Sequence, residues 1–149
     1  IKTDISYIVF AESPTLLSKL EKLYSVIDFK KGGILNIIQG NYEAAIITNS
    51  KYKDKVLDIL YKEEVLEDVD DLVSISLTYS KNFLFQPGIL YDISRFLAWE
   101  HINAYDIILT KTELSLIIGK KDLMRCYQQL GKFAENKDNS NNKVKKALN

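Results

Sequence analysis

The sequence predicts an α+β fold built from two tandem βαββαβ units, each an antiparallel sheet with its helices on one face. Three observations support this prediction: strand patterns alternate with helix patterns, the same order of elements occurs twice, and the elements of the second copy follow those of the first by 70 residues. Because 46% of the 149 residues are hydrophobic, the chain can bury a core, which argues against general disorder.

The first copy opens with a strand and a helix. The strand candidate, Ile5–Phe10, is apolar and rich in β-branched residues. Ser13 is expected to cap the helix that follows, with Pro14 in its first position, where the missing N–H group costs nothing. Apolar residues then recur at helical spacing and predict one buried stripe: Leu16, Leu17, Leu20, Leu23, Tyr24 and Ile27.

A hairpin and a second helix complete the first copy. Two short strands, Ile34–Gln39 and Glu43–Thr48, are joined through Gly40-Asn41, a dipeptide typical of tight hairpins. The second helix is predicted from about Lys51 to Lys62. Its inward residues are Val56, Ile59 and Leu60. The acidic residues at positions 63, 64, 67, 68, 70 and 71 lack the spacing of a calcium loop and are predicted to form a solvated linker.

The second copy repeats this order. Its first strand, Leu72–Thr78, alternates between apolar and hydroxyl side chains, with Val73, Ile75 and Leu77 on one side. After a loop that ends in Gln86-Pro87-Gly88, apolar residues at i, i+4, i+7 and i+8 predict a helix. These residues are Ile89, Ile93, Phe96 and Leu97.

A second hairpin and a last helix follow. The strands are Ala104–Leu109 and Glu113–Ile118, the turn between them is Thr110–Thr112, and Gly119 ends the hairpin. A helix is predicted at 121–133. Its inward residues are expected to be Leu123, Tyr127 and Leu130.

Corresponding elements of the two copies are equally spaced. The hairpin strands begin at positions 34 and 104 (104 − 34 = 70) and at 43 and 113 (113 − 43 = 70), and the second helices begin at 51 and 121 (121 − 51 = 70). Side-chain identity between the halves is low, so the repeat is one of pattern. We therefore predict a first unit at 4–71, a second unit at 72–135 and a polar tail at 136–149.

The sequence of the second copy provides no apolar final strand, because the tail is too polar. The strand at 72–78 is therefore expected to serve both units, or another chain to complete the second sheet. Each small unit has one core between its sheet and its helices, which leaves the other sheet face and an edge strand free. We therefore expect the units to pair and the chain to form a homodimer.

Charge and composition argue against several functional classes. Lys plus Arg and Asp plus Glu number 20 each, for a net charge of +0, which disfavours direct nucleic-acid binding and a basic membrane contact. With only Cys126 and His101, the chain has too few ligands for a disulfide or a Cys/His zinc site. No cofactor-binding or catalytic pattern occurs, so neither a cofactor nor enzymatic activity is predicted.

The expected location is the cytoplasm. The sequence contains no signal-peptide pattern and no apolar run long enough to span a bilayer. The chain begins at Ile1 rather than at a methionine. One interpretation is a fragment of a longer protein, with a further domain upstream.

Part of the second copy resembles a known family. Residues 73–133 are similar to an ACT domain, in particular to the last ACT domain in the regulatory region of aspartate kinases. The motifs that match are Val73-Ser74-Ile75-Ser76-Leu77, Pro87-Gly88-Ile89-Leu90, Ile102-Asn103-Ala104-Tyr105, Thr112-Glu113-Leu114-Ser115-Leu116 and Asp122-Leu123. The first half resembles a more diverged ACT-like unit through its order of elements. Together they cover about residues 4 to 134 and imply two tandem ferredoxin-like modules.

The resemblance implies a regulatory function. ACT domains bind small ligands, usually amino acids, at module interfaces and pass the occupancy to an attached enzyme or regulator. In this chain the implied ligand loop, whose backbone N–H groups suit a carboxylate, consists of Gln86, Pro87, Gly88, Ile89 and Leu90. Asn103 and Asp106 are then placed to meet an α-amino group or a side chain. The chain departs from the family at Phe83-Leu84-Phe85, where amino-acid binders often carry an acidic residue.

These features also have other interpretations. Pro87-Gly88 serves equally as a helix-start turn, and Asn103 and Asp106 as polar residues at a strand edge. The apolar segment Phe83-Leu84-Phe85 favours an alternative function, a dimerisation or protein-interaction module without a small ligand. Such a module would belong to a transcriptional regulator if a DNA-binding segment lay upstream.

Other conspicuous side chains are assigned structural roles. His101 follows a helix and is interpreted as a favourable charge at its C-terminal end. Cys126 is interpreted as a packing residue rather than a reactive thiolate. The aromatic residues of the first helix in the second copy, namely Tyr91, Phe96 and Trp99, are assigned to the core or to an interface.

Overall fold

The structure is a computed structural model that describes residues 1–78 and 88–132. The chain divides into two compact units, Ile1–Ser74 and Ile75–Asn149. The strands are β1 Lys2–Ala11, β2 Leu35–Gln39, β3 Glu43–Asn49, β4 Val65–Thr78, β5 Ala104–Leu109 and β6 Glu113–Gly119. The helices are α1 Leu16–Leu23, α2 Lys53–Ile59, α3 Ile89–Trp99 and α4, whose described residues are 123–132.

The strands follow one another in the hydrogen-bonded order β2-β3-β1-β4-β6-β5. The first unit therefore has the order β2-β3-β1-β4, and the second unit the order β4-β6-β5. The predicted α+β fold of ferredoxin-like units with antiparallel strands is confirmed.

β1 lies at the centre of the first unit and pairs antiparallel with β3 and β4. The β1–β3 ladder runs without interruption. The β1–β4 ladder shifts register at three places. At the first two, Asp4 on β1 and Asp71 on β4 each adopt a φ of +56°. Aspartate tolerates this left-handed conformation better than most residues. These two shifts cancel because they lie on opposite strands, and a third shift follows between Val9 and Phe10.

The core of the first unit lies between one sheet face and the two helices. Alternate residues of β1 and β3 meet the inner sides of α1 and α2, as the period-2 and period-3.6 patterns require. The cluster consists of Ile8, Phe10, Leu16, Leu20, Leu23, Ala44, Ile46, Val56 and Leu60. In contrast to the predicted stripe, Leu17 and Tyr24 are exposed, because α1 turns only its i, i+4 and i+7 positions inward.

Four of the six acidic residues after α2, at positions 67, 68, 70 and 71, lie in a strand, so the prediction of a solvated linker is wrong for them. β4 begins at Val65, and its first half pairs with β1, with Val69 opposite Tyr7 and Glu67 opposite Val9. Its acidic side chains are exposed. The composition of this segment suggested a linker, but its backbone hydrogen bonds with the distant strand β1 make it a strand.

Residues on the opposite face of strands β1 and β3 are also buried. Val9, Ala45 and Ile47 alternate with the core residues of β1 and β3, yet they are buried. In β6, all side chains at 114–118 are buried. These strands therefore carry buried side chains on both faces, rather than on one face only.

The helix ends of the first unit differ from the predictions. α1 begins at Leu16 rather than at Pro14, and α2 ends at Ile59. Lys62, predicted to be helical, has a φ of +70°, which no α-helix accommodates. Helical geometry thus stops before the chain turns into β4.

The second unit follows the predicted boundaries closely. β5 has its predicted bounds, and the Thr110 N–H donates to the Glu113 carbonyl oxygen (2.8 Å) to close the turn into β6. β3 and β6 begin at 43 and 113, so the 70-residue register is confirmed there. In α4, Cys126 and Leu130 are buried while Tyr127 is exposed, and the prediction of an inward Tyr127 is wrong.

Candidate functional site

The start of α3 carries the described part of the predicted ligand loop. Gly88 stands before the helix with a φ of +91°, a backbone conformation that side chains rarely adopt. It has no side chain that could cap the helix. Ile89 is buried and Leu90 is half exposed. Gln86 and Pro87, the other predicted loop residues, and the apolar segment 83–85 lie outside the described residues.

The second group of predicted site residues lies at the start of β5. Asn103 is exposed and Asp106 is half buried. One oxygen of the Asp106 carboxylate accepts a hydrogen bond from the Ile107 N–H group (2.7 Å). Burial raises the pKa of Asp106, and this hydrogen bond partly offsets the rise. The β5–β6 register shifts between Ala104 and Asp106, so a bulge turns the carboxylate at this point.

Within one unit these two groups are separated by the length of α3. The helix has 11 residues, which corresponds to about 16 Å. Gly88 precedes its first residue, whereas Asn103 comes four residues after its last. A small ligand that contacts both groups would therefore need one of them from a second copy of the chain.

The end of α3 explains the position of Asn103. The Ile102 N–H donates to the Leu97 carbonyl (2.8 Å) and the His101 N–H to the Ala98 carbonyl (3.2 Å), the pattern of a Schellman motif. His101 holds the left-handed position of that motif, with a φ of +53°. The role of His101 is thus conformational, a feature that sequence reasoning missed because glycine usually occupies this position.

A polar cluster at the start of α1 was not predicted. The carboxylate of Glu63 accepts hydrogen bonds from the Ser13 hydroxyl (2.5 Å) and the Thr15 hydroxyl (2.6 Å), and it pairs with the Lys19 ammonium (2.6 Å). The Ser13 hydroxyl oxygen also accepts from the Leu16 N–H (3.1 Å), but the residue that caps α1 is Thr15 and not Ser13 as predicted. These contacts hold the pKa of Glu63 down to about 2, with Lys19 the largest cause.

A second polar network connects α2 to β4. The Lys53 ammonium contacts Asp68 (2.7 Å) and Asp70 (2.5 Å), and Asp70 also accepts from the Ser6 hydroxyl (2.6 Å). Burial lowers the pKa of Lys53, but the two aspartates outweigh it and raise that pKa overall. The bond to Lys53, followed by that from Ser6, lowers the pKa of Asp70. Every group in this network has a partner, which indicates a structural role.

The remaining conspicuous residues take ordinary positions. Cys126 is fully buried, and burial followed by the nearby charge of Asp122 raises the pKa of its thiol to about 11. Tyr91 is 67% exposed and Trp99 is 82% exposed. The assignment of these two aromatics to the core is therefore wrong, and the interface assignment stays a prediction.

The described residues, 1–78 and 88–132, contain no group of three or more His, Cys, Asp or Glu side chains that could hold a metal ion. In the same part of the chain, no helix is long and apolar enough to cross a membrane.

Comparison with known proteins adds the fold relationship. No family model matches the sequence, and no curated protein matches it significantly. The aspartokinase alpha and beta subunits match with a TM-score of 0.69 and 17% identity, over 87% of this chain and 91% of that chain. The ligand-free regulatory subunit of aspartate kinase from Thermus thermophilus matches with a TM-score of 0.65 and 16% identity, over 83% and 86%. The fold is that of an aspartate kinase regulatory region.

One of the matching proteins is much longer than this chain, so the match covers only part of it. E. coli aspartokinase III in complex with lysine and aspartate, in the T-state, has a TM-score of 0.59 and 12% identity, over 87% of this chain but 31% of that chain. The ACT resemblance drawn from the sequence is thus confirmed at the level of the fold, which at these identities is what the likeness establishes.

Proposed function

We propose that this chain is a regulatory module that binds an amino acid or a related small metabolite at an interface between modules or copies. The presence of bound ligand would be signalled to an attached domain or partner. We expect no catalysis by the chain itself. The observation that carries this proposal is the match to a separate regulatory subunit over most of both chains.

The chemistry of two positions supports an amino-acid ligand. The first N–H groups of α3, at Ile89 and Leu90, lack intrahelical partners by geometry and suit a carboxylate. The half-buried Asp106 carboxylate suits an ammonium group. Because these positions lie at opposite ends of α3, a site that uses both is best formed across an interface. E. coli aspartokinase III, which shares the fold, has been crystallised with lysine and aspartate.

The test is a screen of the common amino acids for thermal stabilisation of the chain, followed by calorimetric titration of any hit. A ligand at about 100 times its dissociation constant should stabilise the fold by about 2.7 kcal/mol. Asp106→Asn should weaken binding by about tenfold or more. Asp58→Asn, an exposed aspartate on α2, is the matched control and should bind normally. Absence of stabilisation by every amino acid and related metabolite tested would reject the proposal.

A second candidate function is self-association without a small ligand. Three apolar side chains alternate along one side of β5, an end strand of the sheet: Tyr105, Ile107 and Leu109, each between 36% and 39% exposed. An exposed apolar end strand is a ready template for pairing with another strand. The apolar segment 83–85 that first suggested this function lies outside the described residues.

Sedimentation equilibrium tests self-association. Ile107→Lys places a charge in the apolar row and should shift the chain towards monomer. Ile38→Lys, at a similarly exposed position on the other end strand β2, is the matched control and should leave the mass unchanged. If wild type and Ile107→Lys have the same mass, β5 is not the contact.

A further inference from the structure

The Glu63 carboxylate of the first unit has three polar partners. Its side chain is only 4% exposed. One oxygen receives the Thr15 hydroxyl and the Lys19 ammonium, both at 2.6 Å, and the other receives the Ser13 hydroxyl at 2.5 Å. Two hydroxyl donors and one ammonium are the donor set expected of a protein site for a free carboxylate.

Two of these donors, Ser13 and Lys19, also have partners other than Glu63. The Lys19 ammonium also donates to the Tyr61 carbonyl oxygen (2.7 Å). The Ser13 hydroxyl oxygen is fixed by the Leu16 N–H at the start of α1. Removal of the Glu63 carboxylate would therefore leave Ser13 and Lys19 oriented by these remaining contacts.

The backbone directs Glu63 into this site. Lys62, immediately before it, takes the left-handed conformation, and the Glu63 N–H donates to the Leu60 carbonyl (2.9 Å). On the other side, the Glu64 carbonyl accepts from the Ala11 N–H (2.9 Å). A carboxylate tethered so closely has an effective concentration on the order of millimolar or higher. A free carboxylate at lower concentration cannot compete with it.

We propose that Ser13, Thr15 and Lys19 form a carboxylate-binding site that the chain fills with its own Glu63, which closes the start of α1 to external carboxylates. The site belongs to the first unit and does not depend on ligand binding at α3 or β5. Its ligand class is a small carboxylate, for which the Glu63 side chain substitutes.

The second half does not repeat this arrangement in sequence. α1 and α3 begin 73 residues apart (89 − 16 = 73), so the positions that correspond to Ser13, Thr15 and Lys19 hold Gln86, Gly88 and Asp92. With the 70-residue spacing of the hairpins, the position of Glu63 corresponds to Phe133. The internal carboxylate and its donor set are therefore particular to the first unit.

Chemical rescue tests the proposal. Glu63→Ala removes the methylene carbon, the carboxyl carbon and both oxygens, which are the heavy atoms of acetate. Thermal unfolding of the full chain should be measured at neutral pH in sodium acetate and in sodium chloride of equal ionic strength. Acetate should raise the Tm of Glu63→Ala by about 2–4 °C relative to chloride, and it should not raise the Tm of the wild type.

Two variants make the rescue specific. Glu64→Ala removes the neighbouring exposed carboxylate and should show no response to acetate. Glu63→Ala combined with Lys19→Met removes the ammonium and should lose the rescue. An equal response of wild type and Glu63→Ala, or no response of Glu63→Ala, would overturn the proposal. Neither result tests the amino-acid site, because binding at that site is measured with the Asp106→Asn variant.

A second measurement covers the case in which Glu63→Ala does not fold. Carbon-13 NMR of the wild-type side-chain carboxyls reports the pKa of Glu63 directly. The contacts described above predict a value of about 2. A value near 4.5, that of an unperturbed glutamate, would mean that the carboxylate is not bound and would overturn the proposal.

Discussion

α1 and α3 occupy corresponding places in the two units, but they resemble each other only on the side that faces the core. Leu16 and Leu20 of α1 are buried, and so are Ile89 and Ile93 at the corresponding positions of α3. Their starts differ. The first N–H group of α1, that of Leu16, donates to Ser13 beside an internal carboxylate, whereas α3 begins after a glycine. Packing constrains the inner face of a repeated helix, while its start is free to diverge.

The largest expected effect concerns the shared inner face. Leu20→Ala and Ile93→Ala each remove a buried side chain and should each lower the free energy of unfolding by about 2–5 kcal/mol. Urea unfolding monitored by circular dichroism measures both. Leu17→Ala, on the exposed side of α1, is the control and should cost much less. A small loss for either buried residue would mean that the two helices do not have equivalent cores.

The next effect is the pH dependence of folding stability that the Glu63 carboxylate causes. Because the pKa of Glu63 lies at about 2 rather than near 4.5, its contacts contribute stability that is fully present above about pH 4.5. That contribution is lost as the pH falls towards 2. Glu63→Gln should therefore be less stable than wild type at pH 7 and should lose less stability between these two pH values.

Urea midpoints at several pH values measure this difference. Glu64→Gln, which changes an exposed neighbour, should have the wild-type pH profile. Parallel profiles for wild type and Glu63→Gln would contradict the assignment of the low pKa to Glu63 and would remove the main difference between the two helix starts.

A smaller effect separates conformation from binding at the start of α3. Gly88 has a φ of +91° and Gly32 of the first unit a φ of +78°, and an added Cβ would meet nothing within 4 Å at either position. Gly88→Ala and Gly32→Ala should therefore each cost about 1–2 kcal/mol through backbone strain alone. Only Gly88→Ala should also weaken a ligand identified in the amino-acid screen. Equal binding by both variants would exclude the α3 start from the ligand site.

The smallest effect concerns the end of α3. His101 holds a left-handed position that glycine occupies without strain. His101→Gly should stabilise the fold by about 0.5–1 kcal/mol, because the steric cost of the Cβ disappears. His101→Ala keeps the Cβ and should give no such gain. A loss of stability in His101→Gly would indicate that the imidazole makes contacts that outweigh the backbone strain.

The sequence predicted those elements whose signals are local. The alternation and turn residues of the second hairpin placed β5 at its final bounds, and the spacing of Ile89, Ile93 and Leu97 identified the buried side of α3. It failed where a residue pattern is compatible with two environments. Tyr127 and Cys126 are neighbours on α4, and only the packing of that helix decides that the cysteine is buried.

The candidate site was predictable only in part. The ligand loop and the start of β5 were found through the resemblance to ACT domains, and they remain proposals for binding. Their separation by the length of α3 required the helix bounds. The Glu63 cluster gave no signal in the sequence, because Ser13 and Glu63 are 50 residues apart.

The sequence by itself determined the order of the elements, the 70-residue spacing between β3 and β6 and the buried side of α3, since these follow from periodicities within single elements. Only the tertiary structure decided that the acidic segment is a strand, that both faces of β1 and β3 are buried, and that Glu63 fills the start of α1. Each of these depends on a partner distant in the chain. Local composition cannot specify such partners, because the free energy of pairing or burial belongs to both segments together.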